Sequence, residues 1–96
     1  MIYGVLRADL RISSAKSLKD KRSITRKLIE KIRNAFHVSA NEVGDHDLHG
    51  NAVIGISLTG AEAVQVEKVL QHILRMIDEN PEVEVYDSVI LVDQLK

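Results

Sequence analysis

The hydrophobic period of this chain changes in a fixed order along its length: two residues, then 3.6, then two and two again, then 3.6, then two. Few arrangements of elements accept that order. The first segment is the clearest. Ile2, Gly4, Leu6, Ala8, Leu10 and Ile12 alternate with Tyr3, Val5, Arg7, Asp9 and Arg11, the pattern of a strand with one buried and one open face. Ser13-Ser14-Ala15 interrupts it. Ser17 followed three residues later by Asp20 reads as a helix cap, in which a hydroxyl satisfies unpaired backbone N–H groups and a carboxylate sits near the positive helix end.

The spacing then predicts a helix from Leu18 to about Ala35. Leu18, Ile24, Leu28, Ile29, Ile32, Ala35 and Phe36 make one apolar stripe, and Lys16, Lys19, Arg22, Arg26, Lys27, Lys31 and Arg33 cover the opposite half. Lys21 and Thr25 fall on the apolar side of this wheel. Either they sit at the stripe's edge, with Lys21 reaching past its neighbours, or they mark a polar contact near the helix start. His37 to Val43 and Asn51 to Leu58 read as two short strands around the polar, glycine-bracketed turn Gly44–Gly50, and should pair as a hairpin. Thr59-Gly60-Ala61-Glu62 has the form of a second capping box. Ala63, Val66, Val69, Leu70, Ile73, Leu74 and Ile77 then recur at helical spacing until Asn80-Pro81, and Val83 to Val92 is the last strand.

The order β-α-β-β-α-β specifies an α+β, ferredoxin-like sandwich: a four-stranded antiparallel sheet with both helices on one face, as a single domain over residues 1–96. The other sheet face is left open and would carry Tyr3, Val5, Arg7, Asp9 and Arg11. A chain of 96 residues covers only about two-thirds of the surface it exposes when unfolded, which favours a homo-oligomer, a dimer in the simplest case. The absence of cysteine excludes disulfides, thiolate metal sites and a cysteine nucleophile. Neither a signal peptide nor a membrane span is legible, so a cytoplasmic protein without membrane contact is expected.

Charge is distributed unevenly. Between Lys16 and Arg33 eight basic residues stand against two acidic ones, whereas from His49 onward three basic residues (Lys68, Arg75 and Lys96) face eight acidic ones. A cationic helix face attracts backbone phosphates, and a solvated helix face in a near-neutral protein has the same composition. Asp45, His46, Asp47 and His49 bring two imidazoles and two carboxylates within five residues, donors of the kind that hold zinc. A tight turn collects the same residue types. His46 and His49 are the candidate metal ligands, but no metal or cofactor is expected. His37 and His72 have no evident partner. No G-x-S-x-G or phosphate-loop pattern occurs. The strand-to-helix junction Ile12–Ser17 lacks the glycine-rich anion loop of acylphosphatases. Tyr3, Phe36 and Tyr86 are too few and too scattered for the base-stacking readout of RNA-recognition domains.

Several segments resemble a known family. Gly4-Val5-Leu6-Arg7 with Leu10, the block Ala15-Lys16-Ser17-Leu18-Lys19-Asp20-Lys21-Arg22, the strand Val38–Val43, and Asp47-Leu48 with Gly55 are similar to the bacterial DUF503 family, also called YlxP-like. The resemblance covers nearly the whole chain, and the Ser-Leu-Lys-x-Lys-Arg block is its specific part. It does not extend to His46 and His49. It implies a ferredoxin-like domain of no established biochemical activity, whose gene often lies among those for translation initiation and ribosome maturation. The resemblance places its motif on Ser17, Leu18, Lys19, Lys21, Arg22, Glu42, Val43 and Asp47. Of these Ser17 reads as the cap and Leu18 as core, and Glu42 is a polar residue in an apolar strand that can pair with a first-helix cation such as Lys21.

The expectation is a non-enzymatic accessory protein that meets RNA or ribosomal particles through Lys19, Lys21, Arg22, Arg26 and Arg33. The alternative is a protein-interaction or self-assembly module using the open sheet face or an edge strand. A small-molecule regulatory domain ranks third and an enzyme last.

Overall fold

The computed structural model describes residues 1–46 and 48–96. Its elements are β1 (Ile2–Arg11), α1 (Leu18–Ala35), β2 (Ser39–Gly44), β3 (Asn51–Gly60), α2 (Ala63–Asp78) and β4 (Glu84–Gln94). The strands form one sheet in the order β2-β3-β1-β4, every neighbouring pair antiparallel. Each helix therefore crosses between parallel strands separated by one other strand. Both helices pack on the same face, α1 against β2 and α2 across β1 and β4. The ferredoxin-like arrangement specified by the period order is the one observed.

Register explains the packing. Leu6, Ala8 and Leu10 of β1 lie opposite Ile56, Ile54 and Ala52 of β3, and all six side chains are buried beneath the helices. Ile24, Leu28 and Ile32 of α1 and Val66, Leu70, Ile73 and Ile77 of α2 close this core from above. Gly4 lets α2 approach closely: a Cβ there would stand 2.6 Å from Val66 Cγ1 and 2.8 Å from Leu70 Cδ1. A side chain at that position would push the helix off the sheet.

The boundaries differ from expectation where pairing decides them. β2 starts at Ser39, opposite Ser57, and not at His37. β4 runs on to Gln94 because that residue still pairs with Ile2 at the start of β1. The expected capping box at Thr59 does not form. Thr59 is paired with Tyr3 inside β3, and α2 begins instead behind Glu62, whose side chain makes no capping hydrogen bond.

Candidate nucleic-acid interface

α1 begins where the sequence predicts. Ser17 is extended, and its Oγ accepts a hydrogen bond from the Asp20 N–H at 3.1 Å. The Asp20 carboxylate accepts in turn from the Lys16 N–H at 3.1 Å. The cap is therefore reciprocal, but shifted one residue outward from the usual capping box, in which the carboxylate returns to the cap's own N–H. The helix ends at Phe36, whose N–H reaches the Ile32 carbonyl.

Lys19, Arg22, Arg26 and Arg33 are all exposed. At 100° per residue they fall within about 60° of the helix circumference, and Arg22 and Arg33 are about 16 Å apart along the axis. Among the described residues, neither these four cations nor Lys16, Lys27 and Lys31 lie within ion-pair distance of a carboxylate. The stripe borders a groove of about 260 Å³ between α1 and the edge strand β2, lined by Arg22, Arg26, Glu30 and Arg33 on one side and by Asn41 and Glu42 on the other. Thr25 also lines it; its hydroxyl is buried and lacks a hydrogen-bond partner.

Arg33 has a second role. One guanidinium nitrogen, Nη2, donates to the Ala40 carbonyl at 2.6 Å and to Asn41 Oδ1 at 3.1 Å, and Asn41 passes the chain on to Ser39 Oγ. His46 Nε2 lies 3.2 Å from the Glu42 carbonyl. These two side chains occupy outward-facing carbonyls of β2, which blunts that edge against strand addition. An arginine has five N–H donors, so three on Arg33 remain for the groove.

Lys21 does not belong with the exposed cations of α1. It is fully buried, because its position on the apolar side of α1 points it beneath β2. There its ammonium stands 2.8 Å from Glu42 Oε2 and donates to the Asp45 carbonyl. Pairing between Lys21 and Glu42 is one of the two arrangements the sequence leaves open, and it removes Lys21 from any surface. Asp45 holds a left-handed backbone, φ 59°, which turns that carbonyl inward.

His46 and His49 are exposed, and among the described residues no group of three or more His, Asp or Glu side chains is placed to hold an ion. Asp47, a member of both the expected metal grouping and the family motif, lies outside the described residues. Among the described residues, no helix is long and apolar enough to cross a membrane. His72 stacks edge-on against Phe36, ring centres 5.3 Å apart, a contact between the two helices that helical spacing alone cannot reveal. Sequence reasoning also missed a notch of about 700 Å³ where β2 stops short of β3, lined by Tyr3, Arg33, His37, Ser39, Ser57 and Thr59 among others. The mismatch between the strand lengths was its only signal.

The fold and the helix stripe define a ferredoxin-like α+β domain with a cationic outer helix. The chain belongs to the family described as "Protein of unknown function (DUF503)", whose model matches residues 3–90. It is 36% identical over 83 residues to the uncharacterized protein YlxP of Bacillus subtilis (strain 168), covering 86% of this chain and 90% of that protein. Among solved structures it is similar to a de novo designed protein with a ferredoxin fold, determined by solution NMR. The TM-score is 0.56 at 9% identity, over 99% of this chain and 88% of the design. That likeness concerns the fold alone.

Proposed function

We propose that this chain is a non-enzymatic accessory protein that holds the phosphate backbone of structured RNA, free or within ribosomal particles, on the Lys19–Arg22–Arg26–Arg33 stripe of α1. One observation carries the reading: four exposed cations align on one edge of a helix, without a carboxylate partner among the described residues, beside an open groove. Cations already paired within the protein would have little to offer a phosphate, whereas unpaired ones release condensed counterions from the nucleic acid when they bind. With only three aromatic side chains in the chain, Tyr3, Phe36 and Tyr86, the contact is one of charge and shape.

The test is equilibrium binding to structured RNA at increasing salt. Affinity should fall steeply from low to physiological ionic strength and vary little between RNA sequences. Arg22→Gln combined with Arg26→Gln should weaken binding to every RNA alike and flatten the salt slope by about one unit per lost contact. Both side chains are exposed, so folding stability should change by no more than about 0.5 kcal/mol. No binding at low salt, or full binding by the double variant, would overturn the reading.

A further inference from the structure

The sheet face opposite the helices is uncovered, and its composition is unusual for a surface left in water. Val5, Val89 and Leu91 lie side by side across β1 and β4, 40%, 49% and 52% exposed. Gly55 of β3, paired with Arg7, leaves a depression between them and Val43, whose methyl carbon Cγ1 would stand 2.8 Å from a Cβ at Gly55. Val43 reaches that position because β2 carries a bulge between Glu42 and Gly44. The result is a shallow, mostly apolar hollow of about 430 Å³ with exposed aliphatic side chains beside it.

Both arginines on this face are paired within the chain. Arg7 pairs with Asp9 at 3.2 Å and Asp87 at 3.3 Å. Arg11 lies 3.8 Å from Glu84, and its guanidinium sits 4.5 Å from the centre of the Tyr86 ring. Covering the face therefore strands neither arginine. A strongly anionic partner would find the complementary cations already engaged. Nucleic acid is disfavoured here, since Asp9, Asp87, Asp93 and Glu84 outnumber Arg7 and Arg11.

Size points the same way. Strands of 10, 6, 10 and 11 residues, at about 3.3 Å per residue and spaced about 4.8 Å, give a face of roughly 600 Å², so two copies covering it fully would bury about 1,200 Å², the lower bound for a specific interface. We infer that a second copy of this chain covers this face, sheet against sheet about a two-fold axis, the aliphatic side chains of each copy seating in the Gly55 hollow of the other. This inference does not depend on the RNA reading, which uses the opposite side of the molecule.

The absence of native cysteine gives a clean test. Ser57 lies on this face between Val5 and Ser39, and Ser23 lies on the exposed side of α1; both are exposed. In single-cysteine variants, alkylation at Ser57→Cys should slow several-fold as protein concentration rises, while alkylation at Ser23→Cys should not. Light scattering of the unmodified chain at high micromolar concentration should return twice 10.7 kDa. Leu91→Asp should return the monomer mass with an unchanged circular dichroism spectrum. Where Leu91→Asp fails to fold, the cysteine pair decides. A monomeric wild type, equal alkylation at both positions at every concentration, or a folded Leu91→Asp that stays dimeric would each overturn the inference.

Discussion

An ammonium with no exposed surface has to be matched donor by donor, and Lys21 finds two of its three partners in the Glu42 carboxylate and the Asp45 carbonyl. Glu42 Oε2 has no partner apart from that ammonium, so each charge is the other's compensation. Removing the glutamate leaves a buried ammonium without its counter-charge, and removing the lysine leaves the buried Oε2 of a half-buried carboxylate alone. Lys21→Met should therefore destabilise the fold by roughly 3–5 kcal/mol in urea unfolding, and Lys21→Met with Glu42→Met should cost much less than the single change, because an apolar pair needs no compensation. A single variant within about 0.5 kcal/mol of wild type would show that the pair holds nothing together. Since Lys21 is withdrawn from solvent, a Lys21→Met protein kept below its unfolding transition should retain the wild-type salt slope for RNA. The sequence announces this contact only halfway. A lysine on the apolar side of a helix and a glutamate in an apolar strand each break their local pattern, but which cation meets the glutamate depends on how α1 lies over β2. The left-handed Asp45 that supplies the third group follows no spacing rule.

At the scale of elements, the two helices are started differently, although both show a hydroxyl residue followed three positions later by a carboxylate. Ser17 and Asp20 precede a helix that no strand competes for, and the cap forms. Thr59 is claimed by its pairing with Tyr3 in β3, so α2 starts behind an uncapped Glu62 with an extended backbone, φ −130° and ψ 132°. Sequence separation cannot show that a β1 strand will extend β3 over the would-be cap. Two substitutions follow. Ser17→Ala should cost about 1 kcal/mol, and Glu62→Ser, which puts a capping hydroxyl on a backbone already in the right region, should add about 0.5–1 kcal/mol. Thermal or urea unfolding of the pair checks both signs; a loss in Glu62→Ser would mean that the side chain serves another purpose. Strand order and the buried face were legible because alternation fixes register wherever one face is covered. The bulges at Val43 and Tyr86 were not, since one inserted residue leaves most of the pattern intact.

For the whole molecule, what matters is that the sheet separates two surfaces of different chemistry. α1 presents its cations on the helix side, and the apolar face looks the other way. If two copies meet through their sheets, with the sheets about 10 Å apart and a helix layer of about 10 Å diameter outside each, the two basic stripes lie on opposite outer surfaces roughly 30 Å apart. They face away from one another, so one short RNA hairpin cannot span both, and the stripes should act as independent sites. A dimer should then bind two short hairpins without cooperativity. Each site would displace counterions from about four phosphates, one each for Lys19, Arg22, Arg26 and Arg33, giving a salt slope near −3 to −4 on a duplex stem. Sedimentation of the complex gives the stoichiometry, and a salt titration gives the slope. One hairpin per dimer with a slope about twice as steep would place both stripes on a single ligand, which requires the two copies to sit side by side through an edge strand, with their helices on the same surface. The edge of β2 is an unsuitable place for that, because Arg33 and His46 already occupy the Ala40 and Glu42 carbonyls. That outcome would therefore point to β4, the other edge of the sheet, and would leave the face around Gly55 to some other contact.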